Sequence, residues 1–479
     1  MEDKEFSITF DNLNEGLSPL AHIDNRTFIG SGGQASEMQA DILSLPGYVQ
    51  QSPGLANLSN GDQTGVVDQL IRFILDRPTA ANTTYAVGTT KLFKLTSTQV
   101  ETGGSPSWPQ TITGMTSGES VIRLKENLFV FYNKASGGDI AAMPLSSEVI
   151  DPSWGSTTDQ ALENALHPSA AKEDILLFGN GRYVGAYIAG TNTLDVQKLD
   201  FGEGSEVADI VFHANIWWIA VNYGEGRRGQ IYLYDGSALS SQLSDEAAIG
   251  NQKIGFLYVH NGILFVAYQD NTSDGYAIGW LNGRSLKPIG YFNGSLPDHR
   301  QKTLYKNTIL FAADEGIYST GAVVEQIALQ TSKLSDGGYS TLGGIAAPFG
   351  TPMIASSNGS SHRIAKFSGY STDSNWKSVS VDISRDDDLG NVQEIIVFTK
   401  PLGDQASAEL IIEGNQGQNL SAVSKTYTIS GENTTKHTLR DIDLPPAEDI
   451  RIVISYLNSN TTQPCQIRKI VVNGNYAEG

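Results

Sequence analysis

A single cysteine, Cys465, stands in a chain of 479 residues, so no intramolecular disulfide can form. No Cys-x-x-Cys or Cys/His spacing offers a zinc site either. Charged residues are scarce at 18%, and acids dominate them to a formal net charge of −20. That balance argues against a general nucleic-acid binder, which needs clustered Lys and Arg to neutralise phosphates. The few basic clusters, Arg227-Arg228 and His299-Arg300-Gln301-Lys302, read as solvated loop charges. No run of about 18 apolar residues occurs, and Glu2 to Glu5 follow Met1 directly, so neither a membrane span nor a signal peptide is expected.

Catalytic signatures are missing as well. There is no Gly-x-Ser-x-Gly elbow, P-loop, His-Glu-x-x-His or repeated sialidase-type box. Asp174, Asp200, Asp235, Asp270, Asp274 and Asp314 could in principle flank a glycosidic bond, but acids belong in strand-connecting turns anyway. No enzyme activity and no cofactor are expected. Asp386, Asp387 and Asp388, ahead of Gly390-Asn391, form a weak calcium candidate, because adjacent carboxylates on a turn suit a hard cation. They lack EF-hand spacing and a distal Glu, and read first as a solvated acidic turn.

What the chain has in quantity is Gly (50), Tyr (19) and Phe (17), the composition of many turns and aromatic-filled strands. These residues recur in a unit. VHNGILFVAYQDNTSDGYAIGWLNG from Val259 is an apolar strand, a polar turn and a second apolar strand; related versions begin at Leu124, Gly179, Phe212 and Tyr305. Asn127, Asn180, Asn215, Asn261 and Asn307 mark the turns, roughly 40–50 residues apart, the period of a four-stranded antiparallel blade. With weaker units at Leu70–Val100 and Gly344–Phe367, the pattern predicts an all-β fold with a seven-bladed β-propeller over residues 65–369; six or eight blades also fit. Trp217-Trp218 cannot form one flat sugar platform, since adjacent strand side chains point to opposite faces. Two core tryptophans are expected there.

Residues 1–64 lack this period. FSITF reads as a strand with Phe6, Ile8 and Phe10 on one face; an extended stretch with Leu17, Leu20 and Phe28 follows, and Ser36 caps a short helix, SEMQADILS. This arm either packs on the propeller flank, its first strand closing the ring, or reaches a neighbouring subunit. An insertion at residues 150–174 holds a second short helix, from Thr158 to Leu166. Residues 370–479 hold seven candidate strands, several of which alternate strictly, as in Val379, Val381, Ile383 and Ile450, Ile452, Ile454, Tyr456, which predicts a C-terminal β-sandwich.

The run NEGLSPLAHIDNRTFIGSGGQASEMQADILSLPGYVQQSPGLANLSNG, followed by TTYAVGTTKLFKLTST and EDILLFGNGRYVGAY, resembles a group of tailed-bacteriophage virion proteins. The order of arm, propeller and sandwich is similar, at a coarse level, to hub or nozzle proteins of short-tailed phages. The resemblance covers roughly the first 330 residues and implies a virion structural protein of the neck, tail or collar. On that reading the partners are other virion proteins and copies of the chain itself, with no specific nucleic acid and no membrane insertion. Deleting residues 1–64 is then expected to leave a folded propeller that no longer enters particles. The rival expectation is a tail protein that contacts host surface glycan through exposed aromatics such as Trp154, Trp280 or Trp376.

Overall fold

A computed structural model describes residues 5–11, 13, 35–41, 49–58, 69–103, 107–155, 162–224, 229–241, 253–270, 275–292, 294–313, 316–320, 327–329, 338–371, 374–384, 388–415, 422–457, 459 and 461–477. The chain divides into two compact units, one of residues 56–315 and 333–367, the other of residues 1–55, 316–332 and 368–479. The first is the larger unit; the second gathers both ends of the chain and is called here the terminal unit. Among the described residues the fold is all-β, with one short helix, Ser97–Thr102, closed by a capping box between Thr96 and Gln99.

The larger unit is a succession of antiparallel sheets, mostly four-stranded. Seven first strands open them in turn: Phe73–Ile74, Ser117–Leu124, Ser169–Lys172, Ser205–His213, Ile254–His260, Lys302–Tyr305 and Thr341–Ala346. The hairpins leading out of these strands are set by backbone handedness. Ala214-Asn215, Asn261-Gly262 and Lys306-Asn307 all have positive φ and form two-residue turns, closed by the pairs His213↔Ile216, His260↔Ile263 and Tyr305↔Thr308. Two positive φ values in a two-residue turn match the twist of the flanking strands, and Asn and Gly tolerate them best.

Asn180 plays another part. The turn equivalent to that of Asn215 is Glu173-Asp174, between Lys172 and Ile175, whereas Asn180 lies one hairpin further on, paired with Tyr183. Its buried amide accepts from the Glu163 backbone N–H at 2.6 Å and donates to the Val196 carbonyl at 3.1 Å. Counting from it is what makes the sequence spacing uneven.

The last sheet takes its fourth strand from far upstream. Its order is Thr341–Ala346, Met353–Ser357, His362–Tyr370 and then Pro53–Asn57, and the Leu58 N–H donates to the Ile364 carbonyl at 2.9 Å. Leu58 and Ile364 are both fully buried in one core cluster with Phe93 and Met353. Packing between sheets elsewhere is equally dry. Trp217 and Trp218 fall in different core clusters, as alternation along a strand requires.

In the terminal unit, Glu5–Phe10, Ile467–Ala477, Leu389–Thr399 and Lys436–Arg440 form one sheet. A second runs through Ala35–Asp41, Asn375–Ser378, Asp449–Ser455, Ser407–Gly414 and Val423–Ser430. Alternate residues of both sheets meet in one core, in which Phe10, Ile395, Ile470 and Val472 face Trp376, Leu410, Ile452 and Ile454.

Three expectations from the sequence need correction. SEMQADILS is no helix over its described part: Ala35–Asp41 is a strand whose Glu37, Met38 and Gln39 pair with Lys377, Trp376 and Asn375. Pairing with a distant strand overrides a weak local helix preference. Residues 162–166 are not helical either, Leu162 forming a β-bridge to Gly138; residues 158–161 lie outside the described residues. The strand Glu5–Phe10 was expected to close a propeller ring; its Phe6, Ile8 and Phe10 pair instead with Gly474, Val472 and Ile470 of their own unit.

Candidate functional site

The seven first strands of the larger unit lie side by side in sequence order. Contacts run from Phe73–Ile74 to Ser117–Leu124, on through the next three strands to Ile254–His260, and from Lys302–Tyr305 through Thr341–Ala346 back to Phe73–Ile74. Lys302 supplies the remaining link, its Nζ donating to the Leu257 carbonyl at 2.7 Å. At the seam between the last and first sheets a Cβ on Gly343 would stand 1.9 Å from the Ile71 carbonyl oxygen, so only glycine allows the approach. A cavity of about 860 Å³ lies where the strands meet, lined by residues of all seven sheets, among them Phe73, Val121, Ala170, Asp209, Tyr258, Lys302 and Ile345.

Charged groups on these strands are buried and matched across sheets. The Glu119 side chain is only 2% exposed. It accepts from Arg300 Nη1 at 2.8 Å, from Ser117 Oγ at 2.5 Å and from Asn133 Nδ2 at 3.3 Å, with Arg72 Nη2 at 3.6 Å. Arg300 also grips Asp298, its Nε donating to both carboxylate oxygens at 3.0 and 3.1 Å. Burial pushes the Glu119 carboxyl up, against the pull of Arg300 and Arg72. Burial opposes ionisation of Asp298 as well, but Arg300 and its neighbours outweigh it and hold that carboxyl well below the usual range.

Asp209, on the fourth inner strand, works in the same way. Its Oδ1 accepts from the Ile210 N–H at 2.8 Å, and its Oδ2 accepts from the Leu257 N–H at 2.7 Å and from Lys302 Nζ. Asp76 accepts from Thr303 Oγ1 at 2.6 Å and from the Ala347 N–H at 2.9 Å, and burial pushes its carboxyl up. Each acid thus fastens one inner strand to another. Such groups cost desolvation and return geometric specificity when every lone pair is met.

This cluster was not legible as a site in the sequence, where His299-Arg300-Gln301-Lys302 looks like a solvated loop. In fact His299 is 5% exposed, and the Arg300 and Lys302 side chains are 14% and 13% exposed. The available signal was a lone acid inside an apolar strand, Glu119 in GESVIR and Asp209 in VADIVFH.

The residues singled out from the sequence lie elsewhere. Trp376 is fully buried, with Phe10 edge-on to it at 6.2 Å, so it cannot touch a glycan. Trp154 sits between Phe129 at 5.0 Å and Tyr187 at 4.9 Å as core filling for the insertion. Trp280 is half-buried, with Lys287 Nζ 5.8 Å from its ring centre. Of the arm residues, Phe6, Ile8 and Phe10 pack on the core of their own unit; Leu17, Leu20 and Phe28 lie outside the described residues, as do Asp386 and Asp387 beside the described Asp388. No group of three metal-binding side chains occurs among the described residues. Among them too, no helix is long and apolar enough to cross a membrane.

No protein-family model matches the chain, and no curated protein matches it. Among solved structures it is similar to the AfRom2 CNH domain, with TM-score 0.43 and 11% identity over 66% of this chain and 100% of that one. It is likewise similar to the N-terminal domain of Nup159, with TM-score 0.41 and 10% identity over 69% of this chain and 97% of that one. The extracellular domain of a hybrid two-component system from B. thetaiotaomicron is similar with TM-score 0.47 and 11% identity, over 74% of this chain and 45% of that one.

Proposed function

We propose that the larger unit is a seven-bladed β-propeller and the terminal unit a β-sandwich that incorporates the N-terminal strand. On this reading the chain is a structural component of a tailed-phage virion, a stiff module that joins other proteins in the neck, tail or collar. The observation that carries it is the use of charge on the inner strands. Glu119, Asp209 and Asp76 each bind groups belonging to other sheets, so these acids hold the module together. A ring of sheets fastened in this way has few free edges and offers its rim and faces for flat contacts. The sequence resemblance to phage virion proteins supplies the setting.

The test is particle composition. Mass spectrometry of gradient-purified virions from cells producing the phage should find the chain at fixed stoichiometry with the tail proteins. Its absence from intact particles would end the reading. The glycan-binding alternative rests on Trp280, whose ring keeps partial exposure, and a glycan array with the full chain addresses it.

A further inference from the structure

The cavity where the inner strands meet carries charge opposite to that of the chain. The whole sequence has a net charge of −20, yet the cavity lining includes the cations Arg77, Arg123, Lys125, Lys172, Arg300 and Lys302 against the carboxylates Asp76 and Asp209. Arg300 and Lys302 are engaged by Asp298, Glu119 and Asp209. The other four are exposed and sit where the first three inner strands end in their turns.

Arg123 is held in place by donation to the carbonyls of Thr79 and Lys125, both at 2.7 Å, with the exposed Glu126 at 3.4 Å. Lys172 Nζ stands 3.3 Å from the exposed Glu173. Arg77 and Lys125 have no carboxylate within ion-pair reach among the described residues. Four cations around one opening focus the field on whatever enters, and guanidinium groups fit the oxygens of phosphate or carboxylate in pairs.

His299, also in the lining, is a buried neutral ring. Its Nε2 lies 3.0 Å from the Glu119 carbonyl oxygen, an acceptor only, so this nitrogen carries the proton. Burial keeps the ring neutral, its pKa pushed down to about 3. Nδ1 is therefore a bare lone pair, buried and without a partner among the described residues. Enclosed by the protein, it touches nothing that enters the cavity. The volume of about 860 Å³ falls within the range of small-ligand sites.

We propose that this cavity binds a small organic anion bearing a phosphate or carboxylate group. That group is held among Arg77, Arg123, Lys125 and Lys172. The site is independent of the virion reading, since it needs only the larger unit's own residues.

Isothermal titration of the full chain with glucose 6-phosphate, glucuronate and glucose tests it. At least one anion should bind, at least tenfold more tightly than glucose, and should weaken as salt rises. The exposed double variant Arg77→Glu/Lys125→Glu, checked for an unchanged circular dichroism spectrum, should lose at least tenfold in affinity. Preference between the two anions assigns phosphate or carboxylate as the recognised group. No heat from either anion at millimolar concentration, glucose binding as tightly, or unchanged affinity in the double variant overturns the proposal.

Discussion

His299 donates through Nε2 to the Glu119 carbonyl oxygen at 3.0 Å, joining positions 180 residues apart in the chain. The next residue, Arg300, reaches the Glu119 carboxylate at 2.8 Å. One short segment before the sixth inner strand thereby clamps the second, across the space that the inner strands enclose. Local strand pairing cannot supply such a bond, so it reports directly on closure of the sheets around the cavity.

Removing the Glu119 carboxylate should therefore be costly. Glu119→Ala leaves Arg300 and Arg72 with a buried positive charge uncompensated on that side. About 3 kcal/mol of stability should be lost from the larger unit, read as a drop in its calorimetric transition with the terminal unit's transition unmoved.

Acid should weaken the same region before its carboxylates titrate. His299 and His167 are buried and neutral, their pKa values pushed down to about 3 and about 4, first by desolvation. In the unfolded chain both take up protons below about 6.5. Their contribution is thus full above about pH 6.5 and lost as pH falls toward 4, by about 1.4 kcal/mol per pH unit for each fully protonating group. Urea unfolding between pH 7 and 5 should show His299→Asn with a shallower pH slope than the parent; equal slopes would refute the assignment.

The seam between the last and first sheets can be probed at Gly343. An added Cβ would meet the Ile71 carbonyl at 1.9 Å, and the Gly344 N–H bonds that same carbonyl at 3.2 Å. Gly343→Ala should cost about 1–3 kcal/mol through forced backbone movement. Gly350→Ala, in open space but at φ +74°, separates strain at a turn from damage to the seam. Amide hydrogen exchange should show protection lost at Gly344, whose N–H donates to the Ile71 carbonyl, in the first variant alone.

Phe10 makes the N-terminal strand part of a folded unit. It is fully buried against Trp376, and Phe10→Ala should cost about 3–5 kcal/mol. Deletion of residues 1–64 was expected to leave the ring of sheets intact. It would instead remove Leu58, fully buried, and the strand Pro53–Asn57 of the last sheet. Limited proteolysis of the deletion should show both units destabilised.

How much of this could be read from residues alone follows from the range of the forces involved. Hairpins at Asn215, Asn261 and Asn307 were legible, because positive φ needs particular residues at fixed places. Alternation at Ile450, Ile452 and Ile454, all buried in the strand Asp449–Ser455, announced a one-sided strand in the same way. The strand at Ala35–Asp41 was hidden, because its pairing lies with residues near 376 and local propensity pointed to a helix. The inner-strand charges were hidden for a related reason: what buries Arg300 is Glu119, far away in sequence, and nothing near Arg300 signals it. Trp376 misled because an aromatic residue beside Ser, Asn and Lys looks exposed until its sheet is assembled.

The most direct measurement is an electron cryomicroscopy map of the particle that carries this chain. The account predicts seven radially arranged sheets closed by the strand at Pro53–Asn57, present in several symmetry-related copies whose rim or faces touch other virion proteins. Particles without the chain, or density showing an open array of sheets with no protein neighbours, would contradict it.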